Sequence, residues 1–194
     1  MKDENKIWSE YWSEKESCLW ILKFTPTYKK IVKMFKTINL PKDAKILDAG
    51  CGTGKLASFW LNEGYDILGV DISDVALAIT NKKGVKTMKA DIMKGLPFED
   101  KSFDLVYSDG LLEHFVDPEP ILTELFRVSK KYVLTFVPRI SMLKTVVDTF
   151  VPPPKEYKKK DSEWIELHEI FKPINIKSER LFTVLGILCK KKFL

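Results

Sequence analysis

The sequence predicts an α/β domain in which a doubly wound, mainly parallel sheet of seven strands carries helices on both faces. Three observations carry this prediction. Short apolar runs alternate with helix-spaced segments between residues 45 and 137, the pattern of βα units around a sheet covered on both sides. Glycines and acids gather where the first apolar runs end, on the edge at which open sheets of this kind bind ligands. A length of 194 residues with 45% apolar content suits a single domain, 1–194, with a sizeable core.

The chain opens with a helical arm within residues 1–24, where Trp and Tyr mix with Glu and Lys over 5–23. Trp8 and Trp12 stand at i, i+4 and share one helical face. That stripe reads either as core packing or as a cover over a site. Pro26 suits the first turn of the next helix, in which Ile31, Val32, Met34, Phe35 and Ile38 recur at helical spacing before Pro41. Lys45–Ala49 reads as a buried strand, Leu56–Glu63 as a helix stopped by Gly64, and Asp66–Val70 as the second strand. Asp74–Lys82 is a helix with Ser73 or Asp74 as N-cap and Gly84 after its end. Val85–Ala90 and Phe103–Tyr107 follow as strands, then the helix Pro118–Val128 and the strand Tyr132–Val137. Residues 139–162, with Pro152-Pro153-Pro154 and a charge run, read as an insertion or lid. Glu163–Phe171 predicts a helix; Ile174–Leu181 and Thr183–Cys189 predict a closing antiparallel hairpin.

Composition narrows the function classes. The net charge of +5 comes from 32 Lys and Arg against 27 Asp and Glu, and the lysines are scattered. Lys158–Lys160 and Lys190–Lys192 are docking patches for an acidic partner or plain solvated runs. Cys18, Cys51 and Cys189 form no CxxC pair or Cys/His cluster, so neither a metal site nor a disulfide framework is indicated. A reducing, cytoplasmic setting follows. The N-terminus lacks the apolar core of a signal peptide. The longest apolar stretch, Leu181 to Cys189, falls far short of the ~20 residues of a membrane span.

The chemistry begins at Ile46-Leu47-Asp48-Ala49-Gly50-Cys51-Gly52-Thr53-Gly54. A buried strand ends in an acid and opens into three alternate glycines ahead of a helix. Glycines serve where φ turns positive or a ligand lies on the backbone; the plainer reading is a glycine-rich turn with no ligand. A Walker loop would need Gly at 49 and Ser or Thr at 56, where Ala49 and Leu56 stand. A dinucleotide fingerprint would need glycine at 55, which is Lys55. Both phosphate-binding patterns fail on a specific residue. Asp71 and Asp91 end the next two strands, so that acids at 48, 71 and 91 recur about twenty residues apart. Each alone reads as an ordinary helix cap; three in succession call for a common ligand.

The glycine segment resembles the first motif of the class I methyltransferases. The likeness continues through Gly95-Leu96-Pro97-Phe98, Ser102-Phe103-Asp104, Leu112-Glu113-His114, Asp117-Pro118 and Arg127-Val128, which look like stretches of the small enzymes related to ubiquinone-biosynthesis methyltransferases. It covers about residues 40–138, and departs from the family after Lys130, where Lys131-Tyr132 replaces a Pro-Gly-Gly turn. The resemblance implies a Rossmann-like fold and S-adenosyl-L-methionine as cofactor. It gives Gly50, Cys51, Gly52 and Gly54 to the cofactor loop and Asp48 to the cofactor's ammonium, directly or through water, by charge-assisted hydrogen bonding. Asp71 with Ile72 falls to the ribose hydroxyls, which suit an acceptor-only carboxylate. Asp91 and the Ile92 backbone fall to the adenine, and Ser108 and Asp109 to the methionine portion. Trp12 belongs to a helix that folds over the donor in many relatives.

His114, just past the fourth strand, is the candidate base, with a capping or cofactor-packing role as its alternative; His168 reads as structural. Ser108-Asp109-Gly110-Leu111 lacks the Pro-Pro motif of base- and glutamine-amino methylases, and no cysteine pair suggests a base-carbon methylase. A small-molecule acceptor is the expectation. RNA or protein acceptors, or a non-catalytic S-adenosylmethionine-binding subunit, are the rivals, and nucleic-acid binding has no positive support.

Overall fold

A strand that is apolar on both sides must be covered twice, and this requirement organises the molecule. The computed structural model describes residues 3–19, 26–140, 156–181 and 183–192. Helices α1 (Glu4–Leu19) and α2 (Pro26–Lys36) precede strand β1 (Lys45–Ala49). Then come α3 (Lys55–Asn62), β2 (Asp66–Asp71), α4 (Asp74–Lys82), β3 (Lys86–Lys89) and β4 (Phe103–Asp109). They are followed by α5 (Glu119–Val128), β5 (Ser129–Pro138), α6 (Asp161–Glu169) and the hairpin β6 (Asn175–Leu181) and β7 (Val184–Lys190). The strands form one seven-stranded Rossmann-like sheet in the order β3-β2-β1-β4-β5-β7-β6. Pairing is parallel from β3 to β5, and β7 runs against both of its neighbours.

Each inner strand sends alternate residues to opposite faces. Leu47, Val106 and Val133 meet Ile121 and Leu125 of α5 and Trp164 of α6. Ile46, Leu105 and Leu134 meet Ile31, Met34 and Phe35 of α2 and Leu56 and Trp60 of α3. The Phe35 ring lies 4.8 Å from both Trp60 and Tyr107, edge-on to each. Truncating such a residue to alanine costs about 3–5 kcal/mol. At the edge, β3 offers Lys86 and Lys89 to solvent, charges that discourage a further strand from pairing there.

Several expectations shift by a few residues. α1 begins at Glu4 and is described to Leu19, and Trp20 lies outside the described residues. β5 begins at Ser129, directly after α5 ends at Val128, so the missing Pro-Gly-Gly leaves no connecting turn. The 139–162 insertion lies mostly outside the described residues; its last two residues open α6. His168 is fully buried, with Nδ1 2.7 Å from the Trp164 carbonyl and Nε2 2.8 Å from the Thr135 hydroxyl. The carbonyl can only accept, so Nδ1 holds the proton and Nε2 accepts from Thr135. Burial pushes this imidazole down to about 4, keeping it a neutral brace between α6 and the sheet.

Part of the family-like pattern is scaffold. Arg127 donates to the carbonyls of Phe98 at 2.7 Å and Leu96 at 3.0 Å, while Glu124 accepts from the Leu96 N–H at 2.6 Å. Together they fasten the Gly95–Phe98 loop to α5. The chain runs outward from β1 to β3 and returns to β4, so the strand order reverses between β1 and β4. The ends of those two strands open a crevice, the usual ligand position in open sheets.

Candidate cofactor and acceptor cavity

A cavity of about 580 Å³ occupies that crevice, within the ~300–1,000 Å³ usual for small-molecule sites. Its floor is the turn after β1. The N–H groups of Gly50 and Cys51 both donate to the Val70 carbonyl, at 2.8 and 2.9 Å, which ties this turn to the end of β2. The Gly52 N–H donates to Asp71 Oδ2 at 2.8 Å, and the Ser73 N–H to Asp71 Oδ1 at 2.9 Å. Thr80 of α4 closes the brace by donating to the Gly52 carbonyl at 2.8 Å. Two glycines are required by contact as well as by conformation. A Cβ on Gly52, at φ +49, would stand 2.7 Å from the Trp12 indole; on Gly54, at φ +68, one would stand 2.6 Å from Thr80.

Asp48 is buried beneath this turn and accepts a hydrogen bond of 2.7 Å from the Tyr107 hydroxyl. Burial pushes its carboxyl up to about 8, against the Tyr107 hydrogen bond, with Asp109 and Asp71 adding repulsion. Asp71 is also raised, chiefly by burial, and the N–H groups of Ser73 and Gly52 oppose that shift. Asp91 caps the short 3-10 turn Ile92–Lys94 by accepting from the Met93 N–H at 3.1 Å, and meets Lys94 at 3.1 Å. Asp109 lies 3.8 Å from Lys55.

Helix α1 forms the remaining wall. Asn5 exchanges two hydrogen bonds with Asp74, of 3.1 and 3.2 Å, and the hydroxyls of Ser9 and Ser73 are 3.0 Å apart. These contacts set the helix on the start of α4. Trp8, Tyr11 and Trp12 then face the cavity, and Trp8 meets the His114 ring edge-on at 4.7 Å. None of the three belongs to either core cluster. The Trp12 Nε1 donor is buried with no hydrogen-bond partner among the described residues.

Of the residues singled out from sequence, Asp48, Gly50, Cys51, Gly52, Asp71, Ile72, Asp91, Ile92, Asp109, Trp12 and His114 line the cavity. Gly54 and Ser108 do not. Gly54 packs against Thr80 at the start of α3. Ser108 is fully buried; the pleat sends it to the face opposite Asp109. Sequence reasoning missed Tyr107, which looked like one more core residue of a strand. It also left Glu113 unassigned within a quoted motif and passed over Tyr11, Lys55 and Glu156, which line the same cavity. No local pattern marks Glu156.

The donor set suits a ligand that carries positive charge and no phosphate. Among the described residues that line it stand seven acidic side chains, one lysine, Lys55, and no arginine. The described residues hold no cluster suited to a metal ion.

Comparison with known proteins agrees with this geometry. A family described as "Methyltransferase domain" matches residues 47–136. A malonyl-[acyl-carrier protein] O-methyltransferase of Hamiltonella defensa is 34% identical over 101 residues, covering 50% of this chain and 39% of that enzyme. A ubiquinone biosynthesis O-methyltransferase of Hahella chejuensis is 28% identical over 92 residues, covering 44% and 39%. The chain thus spans about two fifths of the length of these curated relatives. Among solved structures, a possible histamine N-methyltransferase of Thermotoga maritima superposes with a TM-score of 0.76 at 21% identity, over 96% of this chain and 99% of that one. A magnesium protoporphyrin IX methyltransferase of Synechocystis with bound S-adenosylhomocysteine gives 0.70 at 14% identity, over 97% and 100%. At these identities the likeness is one of fold. Over residues 47–136 the chain matches the methyltransferase-domain family.

Proposed function

We propose that the protein is an S-adenosylmethionine-dependent methyltransferase acting on a small-molecule acceptor. The observation that carries the reading is the floor of the cavity: a glycine turn and three acids, Asp48, Asp71 and Asp91, on three neighbouring strand ends. When bound, the sulfonium supplies a methyl carbon already activated toward displacement. The chain's own residues then have to hold and align, an advantage that can reach ~7–11 kcal/mol.

Asp48 receives the ammonium of the donor. Asp71 accepts the ribose hydroxyls on the lone pairs that Gly52 and Ser73 leave open, since a carboxylate offers about four acceptor sites. Asp91 takes the adenine amine, with the Ile92 N–H at a ring nitrogen. Asp109, at the end of β4, faces the methionine portion, and Trp12 covers the donor from α1. His114 is held at the wall by Trp8. A base role there predicts a loss of kcat on His114→Asn with cofactor affinity intact; a packing role predicts the reverse. Among the described residues no helix is long and apolar enough to cross a membrane, and Cys51 and Cys189 are buried free thiols. Both support a cytoplasmic setting.

Calorimetry with S-adenosylhomocysteine, ATP and NAD tests the reading. Binding of the first alone is expected; ATP or NAD binding without a response to S-adenosylhomocysteine overturns it. Binding without turnover across a broad acceptor screen would make the chain a cofactor-binding partner subunit instead.

A further inference from the structure

Beyond the donor residues the cavity continues toward the end of β4, and this end has a chemistry of its own. Three carboxylates reach it from separate segments: Asp109 from β4, Glu113 from the 3-10 turn Leu112–His114, and Glu156 from the stretch that leads into α6. The Tyr157 N–H donates to the Glu113 carbonyl at 2.6 Å, which brings the Glu156 segment onto the wall. Glu113 is buried, its Oε1 close under Gly110. The rings of α1 line the same cavity. Trp8 is edge-on to Tyr11 at 5.8 Å and stacks on Trp12 at 6.3 Å, and all three line the cavity.

We propose that the methyl acceptor is a small amine, bound as a cation between Asp109, Glu113 and Glu156 and the rings of Trp8 and Tyr11; a carboxylate of this set takes one ammonium proton, which frees the nitrogen lone pair to take the methyl group, with S-adenosylhomocysteine as the leaving group. The inference rests on the methyltransferase reading and adds the charge of the acceptor to it. The site is the concave cavity itself; the acids and rings decide what enters. Aromatic faces attract a cation within about 6 Å, and carboxylates in a partly dehydrated cleft act through a dielectric well below that of water. The same wall disfavours a carboxylate or phosphate acceptor, for which its described residues hold one lysine, Lys55, already beside Asp109. The donor's methionine portion reaches Asp109, but the donor's own positive charge does not account for Glu113 and Glu156. Its ammonium falls to Asp48, below the glycine turn, whereas Asp109, Glu113 and Glu156 line the β4 side.

The test uses the full chain saturated with S-adenosylhomocysteine and three probes of matched shape: 2-phenylethylamine, 2-phenylethanol and 3-phenylpropionate. Calorimetry near neutral pH should show the amine binding at least about tenfold more tightly than the alcohol, with the propionate weakest. Glu156→Gln should remove much of the amine's advantage and leave S-adenosylhomocysteine affinity unchanged. Glu113→Gln should act in the same direction, with circular dichroism reporting its fold. Equal binding of the three probes, tighter binding of the propionate, no amine binding, or an amine advantage untouched by both variants overturns the proposal. Failure of the wild-type protein to bind S-adenosylhomocysteine is read separately, before any probe is added, and overturns the methyltransferase reading on which the proposal stands.

Discussion

The two ends of the cavity are built in different ways. The end we assign to the donor comes from successive strand ends, and its parts are fastened to one another by backbone N–H groups: those of Gly50 and Cys51 to the Val70 carbonyl, those of Gly52 and Ser73 to the Asp71 carboxylate. The end we assign to the acceptor comes from α1, the turn after β4 and the stretch before α6, segments far apart in sequence. A donor shared by many enzymes needs one fixed cradle, and local chain geometry can supply it. An acceptor that differs between enzymes is better met by peripheral segments, which can change without disturbing the sheet.

The largest effect is expected of Asp71→Ala. In the structure Asp71 both faces the cavity and holds the glycine turn, so its loss removes two N–H bonds to a carboxylate as well as any contact with the donor. At about 1.5–3 kcal/mol for each hydrogen bond to a charged group, S-adenosylhomocysteine affinity should fall by about a hundredfold or more. The variant should remain folded, because both core clusters lie elsewhere. Affinity within about threefold of the wild type would mean that the cradle is not where the donor binds.

Deleting residues 1–23 probes α1, which borders both ends. α1 touches the start of α4 and the cavity, and none of its described side chains belongs to either core cluster. The truncated chain should therefore keep its sheet, by circular dichroism, and bind S-adenosylhomocysteine about tenfold more weakly through loss of Trp12 over the glycine turn. Unfolding on truncation would show that the Trp stripe belongs to the core after all. Unchanged affinity would end the idea that α1 covers the donor.

Legibility in the sequence follows the same division. The seven strands, their flanking helices and the three strand-end acids could be read because each depends on local periodicity or on a glycine whose backbone angle few other residues adopt. Ser108 was misjudged because position along a strand says little about which face a side chain takes until the register is known. Tyr107 was missed because a tyrosine in an apolar strand looks like core, which it also is; its hydroxyl matters only because β1 lies beside β4. Glu156 could not have been found at all, since it reaches the cavity through a contact between residues 157 and 113. Arg127 shows the converse, a recurrent motif residue whose work is to hold a loop on α5.

Asp48 links the donor end to pH. Its carboxyl in the free protein titrates at about 8, well above the ordinary 3.8. Below that pH it is protonated and cannot pair with an ammonium. Affinity for S-adenosylhomocysteine should thus rise with pH, by up to about tenfold per unit, and level off above 8. The folded state holds a proton that the unfolded chain has lost, so the stability of the free protein should fall as pH rises from about 4 to about 8. In Asp48→Asn both slopes should disappear. Calorimetry and thermal melts at pH 6, 7, 8 and 9 read the two effects independently, and a wild-type affinity flat across that range would remove Asp48 from the ammonium site.

The smallest expected effect belongs to Tyr107→Phe. The hydroxyl donates to Asp48 and favours its charged form, so this hydrogen bond holds the carboxyl below the value that burial alone would impose. Removing the oxygen leaves the ring, which packs edge-on against Phe35 at 4.8 Å, and the fold should persist. The midpoint of the affinity–pH curve should move upward, while affinity on the high-pH plateau falls only modestly. This pattern separates a residue that positions the carboxylate from one that merely fills the core, because loss of packing would lower Tm without moving the midpoint. A lower Tm with the midpoint in place would assign Tyr107 to the core alone. A shifted midpoint would extend the donor cradle to β4, where it meets the first of the acceptor carboxylates, Asp109.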